Sequence, residues 1–285
     1  VGYRDRFQIP DLGVGVGFRA PHHAKVLGET PPMDWFEVIS DNYLLEPPIP
    51  VSKVERLRDK YRVVPHGVSM SIGSSDPLDR DYLARLKRFV RRIDAPWCSD
   101  HLCWTGVDGV VINDLLPMPY TKEAIAHVVE RVKHVQSTLE VPFSIENVSS
   151  YMTYRASTMT EWEFLGEIAE RADCGILFDV NNVFVSAHNH GFDANEYVDA
   201  MPVDRVVQVH LAGHTNKGKY LLDTHSDHVR GEVWALYRRT LRRVGRVSTL
   251  IEWDEDIPEW DVLAAEAEKA RDVRREEGMP WPKAS

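Results

Sequence analysis

Read in chain order, the sequence places His66, Asp100-His101, Glu146-Asn147, Asp179, His210 and Glu252 each at or next to the carboxyl end of a short apolar run. Glu37 lies in an earlier run that continues to Asp41-Asn42. Taken singly, a histidine at such a point is a hydrogen-bonded structural residue, and a lone Asp or Glu caps the helix that follows. Taken together they read differently. Burying several ionisable side chains around one opening costs several kcal/mol for each unpaired charge, so the set needs a compensating centre, and a divalent metal supplies one.

His66, His101 and Glu146 come from consecutive runs. If those runs are neighbouring strands about 4.8 Å apart, the three side chains converge on one ion. Asp179, His210 and Glu252 come from the next three runs and form a second set. Glu146 stands at the boundary and has two oxygens with which to bridge. Further donors follow in Asp179-Val180-Asn181-Asn182, His188-Asn189-His190 and Asp223-Thr224-His225. Of these, Asn182, Asp223 and His225 could hold a third ion, with His190 as a further candidate. Mixed imidazole and carboxylate donors suit Fe, Mn, Co or Zn, and no thiolate joins the set. Cys98 and Cys103 flank Asp100-His101 and are read as packing residues.

The elements that must position these residues are eight short runs, each followed by a longer segment or connection. They are Leu12–Phe18, Trp35–Ile39, Arg62–Pro65, Trp97–Leu102, Pro142–Ile145, Gly175–Phe178, Val206–Leu211 and Val247–Ile251. Helices are expected near 51–60, 79–93, 121–139, 160–172, 194–200, 231–244 and 258–276, with only a short connection after the first strand. Thr121 reads as an N-cap, and Thr160 with Glu163 as a capping box. Eight alternating units without a linker predict an α/β fold, a single (β/α)8 TIM barrel spanning 1–285. Gly13, Gly15 and Gly17 alternate inside the first strand. That spacing lacks the dinucleotide-binding pattern and marks instead a place where another chain segment or a ligand comes close.

The 34 Lys and Arg against 44 Asp and Glu give a formal charge of -10, which argues against nucleic acid as a partner. No apolar stretch is long enough to span a membrane, and three cysteines in a chain of this length point to a cytoplasmic protein. The chain begins at Val1 rather than Met, which leaves a trimmed leader open. There is no G-x-S-x-G, P-loop or H-E-x-x-H, so covalent acyl transfer, phosphate-loop chemistry and zincin proteolysis drop out.

Several segments together resemble a known family: Gly15 to His22, Trp35 to Asn42, Pro65 to Ser69, Ser99 to His101, Ile145 to Asn147, Phe178 to Asn182, Val209 to His214, Asp223 to His225 and Ile251 to Trp253. The likeness is to the multinuclear non-haem iron-dependent oxidative enzymes, the former domain-of-unknown-function family that includes the methanobactin maturation enzyme. It implies a TIM barrel with two or three iron ions that uses O2 to modify a ribosomally made precursor peptide, most often at cysteine, with a small leader-recognising partner protein. Its ligands would fall on His66, His101 and Glu146, on Asp179, His210 and Glu252, and for a third ion on Asn182, Asp223 and His225.

Two other functions use the same strand-end logic. One is a divalent-metal sugar isomerase or phosphodiesterase of the xylose isomerase-like or endonuclease IV-like barrels. It calls for a lysine near the metals or a basic groove, whereas Lys217 and Lys219 fall in a loop. The other is a non-catalytic metal-binding or partner-docking protein, which would hold metal without turnover.

Overall fold

Eight parallel strands close on themselves in a computed structural model that describes residues 1–279; residues 280–285 of the expected single unit lie outside the described residues. In chain order the strands are β1 (Val14–Gly17), β2 (Trp35–Ile39), β3 (Arg62–Gly67), β4 (Cys98–His101), a hairpin of β5 (Trp104–Val107) and β6 (Val110–Leu116), β7 (Phe143–Glu146), β8 (Gly175–Asp179), β9 (Val206–Leu211), a second hairpin of β10 (His214–Asn216) and β11 (Leu221–Asp223), and β12 (Ser248–Ile251). The barrel order is β1-β2-β3-β4-β7-β8-β9-β12, with β12 pairing back onto β1. This is the TIM barrel that the alternation predicts. The two hairpins leave from the carboxyl ends of β4 and β9 and form part of the rim.

Every expected helix is present, as Ser52–Arg58, Arg80–Arg92, Lys122–Leu139, Glu161–Ala172, Ala194–Ala200, Gly231–Val244 and Trp260–Glu276. The caps behave as read. Thr121 accepts from the Ala124 N–H, and Thr160 and Glu163 form a reciprocal capping box. Among the described residues four α-helices were not expected, two of them the single turns Tyr3–Arg6 and Asp41–Leu44. Of the longer two, His23–Glu29 fills the connection after β1, and Val180–His190 occupies the stretch after β8 that lies outside the expected helices. The second has clear physical causes. Asp179 caps its start by accepting from the Asn182 N–H, Gly191 ends it at φ 74°, and Val180, Val183 and Ala187 bury one face. The polar Asn181-Asn182 and His188-Asn189-His190 hide that pattern.

Inside the barrel, side chains stack in layers. Trp35, Val64, Trp97 and Leu250 plug the amino-terminal end with Tyr3 and Leu12, all buried. A Cβ on Gly15 would come within 2.6 Å of the Trp35 ring, and one on Gly17 within 2.7 Å of the Arg19 guanidinium. The alternating glycines therefore mark close approaches by this chain's own Trp35 and Arg19. Helices pack on the outside through residues such as Leu86, Val132, Ile168 and Leu241.

Glu161, in the first turn of its helix, is buried near Tyr120 and Tyr197. Burial pushes its carboxyl up to about 8 from an ordinary 4.5, against a smaller opposing influence of the nearby Tyr197 and Tyr120 hydroxyls. The native chain then holds a proton that the unfolded chain releases between those two values. The stability it confers is fully present below the unfolded pKa and is lost as pH rises through the folded one. Glu161→Gln should therefore flatten the fall in melting temperature between about pH 5 and pH 8.5 relative to the parent. Parallel melting curves across that range would contradict this.

Candidate metal centre

Strand alternation and register set the next layer. His101 pairs with Glu146 across β4 and β7, Asp179 with His210 across β8 and β9, and Leu250 of β12 with His210. Moving along each strand from the apolar plug, the inward positions pass from Trp35 to Glu37, from Val64 to His66, from Ser144 to Glu146 and from Leu250 to Glu252. Hence the plug gives way to a polar ring at the carboxyl end, the face on which TIM-barrel enzymes carry their chemistry.

Both expected sets come together. His66 Nε2 lies 3.0 Å and His101 Nε2 3.3 Å from Glu146 Oε2. His210 Nδ1 lies 3.4 Å from Glu146 Oε1, 2.9 Å from Glu252 Oε2 and 4.0 Å from Asp179 Oδ2. Glu146 thus turns one oxygen to each set. The donor atoms of His66, His101 and Glu146, and those of Glu146, Asp179, His210 and Glu252, each gather closely enough to hold an ion.

Each imidazole is fixed by its other nitrogen. His66 Nδ1 is 2.9 Å from Ser99 Oγ, His101 Nδ1 donates to the Gly67 carbonyl at 3.0 Å, and His210 Nε2 donates to Glu37 Oε2 at 2.9 Å. This leaves Nε2 of His66 and His101, but Nδ1 of His210, free to point into the ring. Glu37 is itself held by Gln208 Nε2 at 2.6 Å, and Gln208 accepts from Trp97 Nε1 at 2.9 Å. Asn147 ties the ends of β7 and β8 together: it accepts from the Asp179 N–H and donates to the Asp179 carbonyl, both at 2.9 Å.

The chemistry of the donors fits a metal. His66 Nε2, both oxygens of Glu146, Asp179 Oδ2, His210 Nδ1, His225 Nε2 and Asn182 Oδ1 are buried polar atoms without a hydrogen-bond partner. Several lie within ion-pair distance of one another yet are not aligned for a hydrogen bond, as expected of atoms that converge on a shared point. Glu37, Glu146, Asp179, Asp223, Glu252 and Asp254 gather here, while Arg19 supplies a buried guanidinium whose Nε donates to Asp254 at 2.7 Å. That leaves negative charge for cations to offset.

The titration of the ring agrees. Burial alone would lower His66, but Glu146 and Glu37 push it up to about 9. For His210, burial is outweighed by Glu37, Glu252 and Glu146, which raise it well above the ordinary imidazole value. Burial tends to raise Glu146, yet His101, His66 and His210 hold it below the ordinary range. Ions bound here would displace protons from the imidazoles.

The expected third set is met only in part. His225 Nε2 is 2.8 Å from Asp223, but its Nδ1 faces Glu252 at 3.3 Å and Asp254 at 3.4 Å. His225, Glu252 and Asp254 are the third group able to hold an ion. Asn182 turns its amide to the Asn147 carbonyl, with its own oxygen unpartnered. His190 is drawn aside, its Nε2 2.7 Å from Ser150 Oγ. Sequence reasoning missed Asp254 and Arg19. Asp254 had a signal: it follows Glu252 at the two-residue spacing that keeps side chains on one side of an extended segment. Cys98 and Cys103 are buried and free, and burial pushes both thiols well up, so they pack as neutral groups.

Comparison with known proteins decides the family. The model of the RiPP precursor modification enzyme MbnB/TglH/ChrH matches residues 13–275. The chain belongs to this family. A UPF0276 protein of Anaeromyxobacter sp. (strain Fw109-5) is 53% identical over 92% of this chain and 93% of its own length. One from Caulobacter vibrioides is 48% identical over 92% and 94%. The MbnB/TglH/ChrH family is the one that the motif segments resemble, and its members modify ribosomally made peptide precursors. Among solved structures, D-allulose 3-epimerase from Methylomonas sp. aligns over 93% of this chain and 99% of its own with TM-score 0.62 and 14% identity. A xylose isomerase domain protein from Planctomyces limnophilus aligns over 94% and 98% with TM-score 0.61 and 13% identity. At such identities these two share the fold with the MbnB/TglH/ChrH chain. Among the described residues no helix is long and apolar enough to cross a membrane.

Proposed function

We propose that this protein oxidises a cysteine of a ribosomally synthesised precursor peptide, using O2 and two or three iron ions held by the ring. The observation that carries the reading is Glu146, with Oε2 toward His66 and His101 and Oε1 toward His210. Two sets sharing one carboxylate favour a multinuclear centre over a lone structural ion. His66, His101 and Glu146 would hold one ion, and Asp179, His210 and Glu252 the next. His225 would hold a third with Asp223 and Asn182, or with Glu252 and Asp254. When bound, iron supplies the one-electron chemistry that oxidation by O2 requires, together with a Lewis-acidic position for the substrate sulfur.

The chain's own residues prepare that chemistry. Ser99, Gly67 and Glu37 fix the imidazole orientations, so the donors need little rearrangement. The Trp35 and Trp97 plug closes the barrel floor and confines access to the rim. Glu252 and Asp254 face Arg19, which offsets part of their charge. A small leader-recognising partner protein completes the reading, since recognition of a peptide leader is separable from chemistry at its cysteine.

Elemental analysis of anaerobically purified protein tests the metal content. The expected result is two to three ions per chain, chiefly iron. One zinc per chain with activity retained would overturn it.

A further inference from the structure

Among the segments that follow the carboxyl ends of β4, β7 and β8 lies a hollow of about 240 Å3 walled by Met118, Met152, Met159, Trp162 and Phe192. It belongs to the same face of the barrel. Met118 follows the hairpin that leaves β4, Met152 and Met159 lie on the segment that follows Glu146, and His190, also in its lining, ends the helix that Asp179 caps. The segment is pinned at several points. Ser157 Oγ accepts from the Tyr120 N–H at 3.0 Å, and Trp104 Nε1 donates to the Tyr154 hydroxyl at 3.3 Å. Tyr151 OH accepts from the N–H of Asp223, which contacts His225, at 2.8 Å.

Size and lining define what fits. The volume falls below the roughly 300–1,000 Å3 of sites that enclose a whole small ligand, so it suits one side chain of a larger molecule. Three methionines make the wall soft and adaptable, as in sites that accept apolar groups of varied shape. Glu161 adds a buried carboxyl, 9% exposed, to this apolar lining. Burial keeps it protonated at neutral pH, where it can donate to or accept from a peptide amide and has no charge with which to select a cation. Tyr151 and Met152, each 45% exposed, and Tyr220, 43% exposed, extend apolar surface from the hollow across the rim.

We propose that this hollow seats an apolar side chain of the peptide substrate next to the residue presented to the metals, and so selects among peptide sequences. The proposal rests on the peptide reading given above and adds a specificity site to it. It commits to an uncharged side chain: Leu, Phe or Met enters, and Asp or Lys is turned away.

The test uses the metal-loaded protein and N-acetyl-leucinamide, N-acetyl-phenylalaninamide and N-acetyl-aspartamide as probes, followed by saturation-transfer NMR. The two apolar probes should bind saturably and the acidic one should not. Met159→Trp, which fills the hollow, should weaken them at least about tenfold with metal content and melting temperature unchanged. Met152→Asp, at an exposed rim position, is the second variant and should do the same. Equal signals from all three probes, or apolar binding unaffected in both variants, would overturn the proposal. A cysteine peptide that is oxidised with the same KM in parent and Met159→Trp would overturn the hollow alone. Apolar probes that bind as expected while no cysteine peptide is oxidised would uphold the hollow and sink the reaction.

Discussion

Replacing Glu146 with alanine should empty both halves of the ring at once. Among the described residues no other side chain faces both sets in the same way, with Oε2 toward His66 and His101 and Oε1 toward His210. Its removal would leave His66, His101 and His210 without the carboxylate they share. The loss should exceed the roughly 10–100-fold drop in metal affinity that follows removal of an outer-shell partner. His225→Ala should act differently. His225 sits at the edge, against Asp223, Glu252 and Asp254, and its loss should remove only the third ion. Iron stoichiometry and Mössbauer spectra of the two variants separate the cases. Equal losses, or none, would contradict the bridging assignment.

Exchange of iron for zinc should abolish turnover while leaving the peptide bound. Imidazole and carboxylate donors accept both metals, so the ring can be refilled. Zinc is redox-inert, however, and the cysteines of the chain cannot stand in for the lost electron chemistry: Cys98, Cys103 and Cys174 are buried, and burial pushes their thiols up. Peptide affinity should stay close to that of the iron form, with oxidised product falling below detection. A zinc form that converts the peptide would show that the chemistry is not oxidative.

Most of the barrel and of the inner ring is legible in the sequence because both follow short periodicities. Val, Ile and Phe runs set the strands, and the same two-residue alternation that buries Trp35 and Val64 aims Glu37 and His66 inward. What stayed hidden depends on contacts distant in sequence. Arg19 crosses Gly17 to reach Asp254, a pairing no local pattern specifies. Val180–His190 escapes the helix pattern because its asparagines and histidines obscure an apolar face that only packing reveals. Glu37 is visible within the second run, but its role as the hydrogen-bond partner of His210 depends on the closure that places β2 across the barrel from β9. The surroundings of the third set are harder to read for a similar reason: His225 is approached from two sides, by Asp223 and by Glu252 with Asp254, and Asp254 enters from a segment beyond β12.

The most direct measurement of the central claim is O2 uptake followed together with the mass of a cysteine-containing precursor peptide, using anaerobically iron-loaded protein. The account predicts O2 consumption coupled to a mass change at the cysteine, abolished by His66→Ala and by a Cys→Ser peptide. Unchanged peptides, alongside epimerisation or isomerisation of a sugar or cleavage of a phosphodiester by the manganese or zinc form, would contradict it.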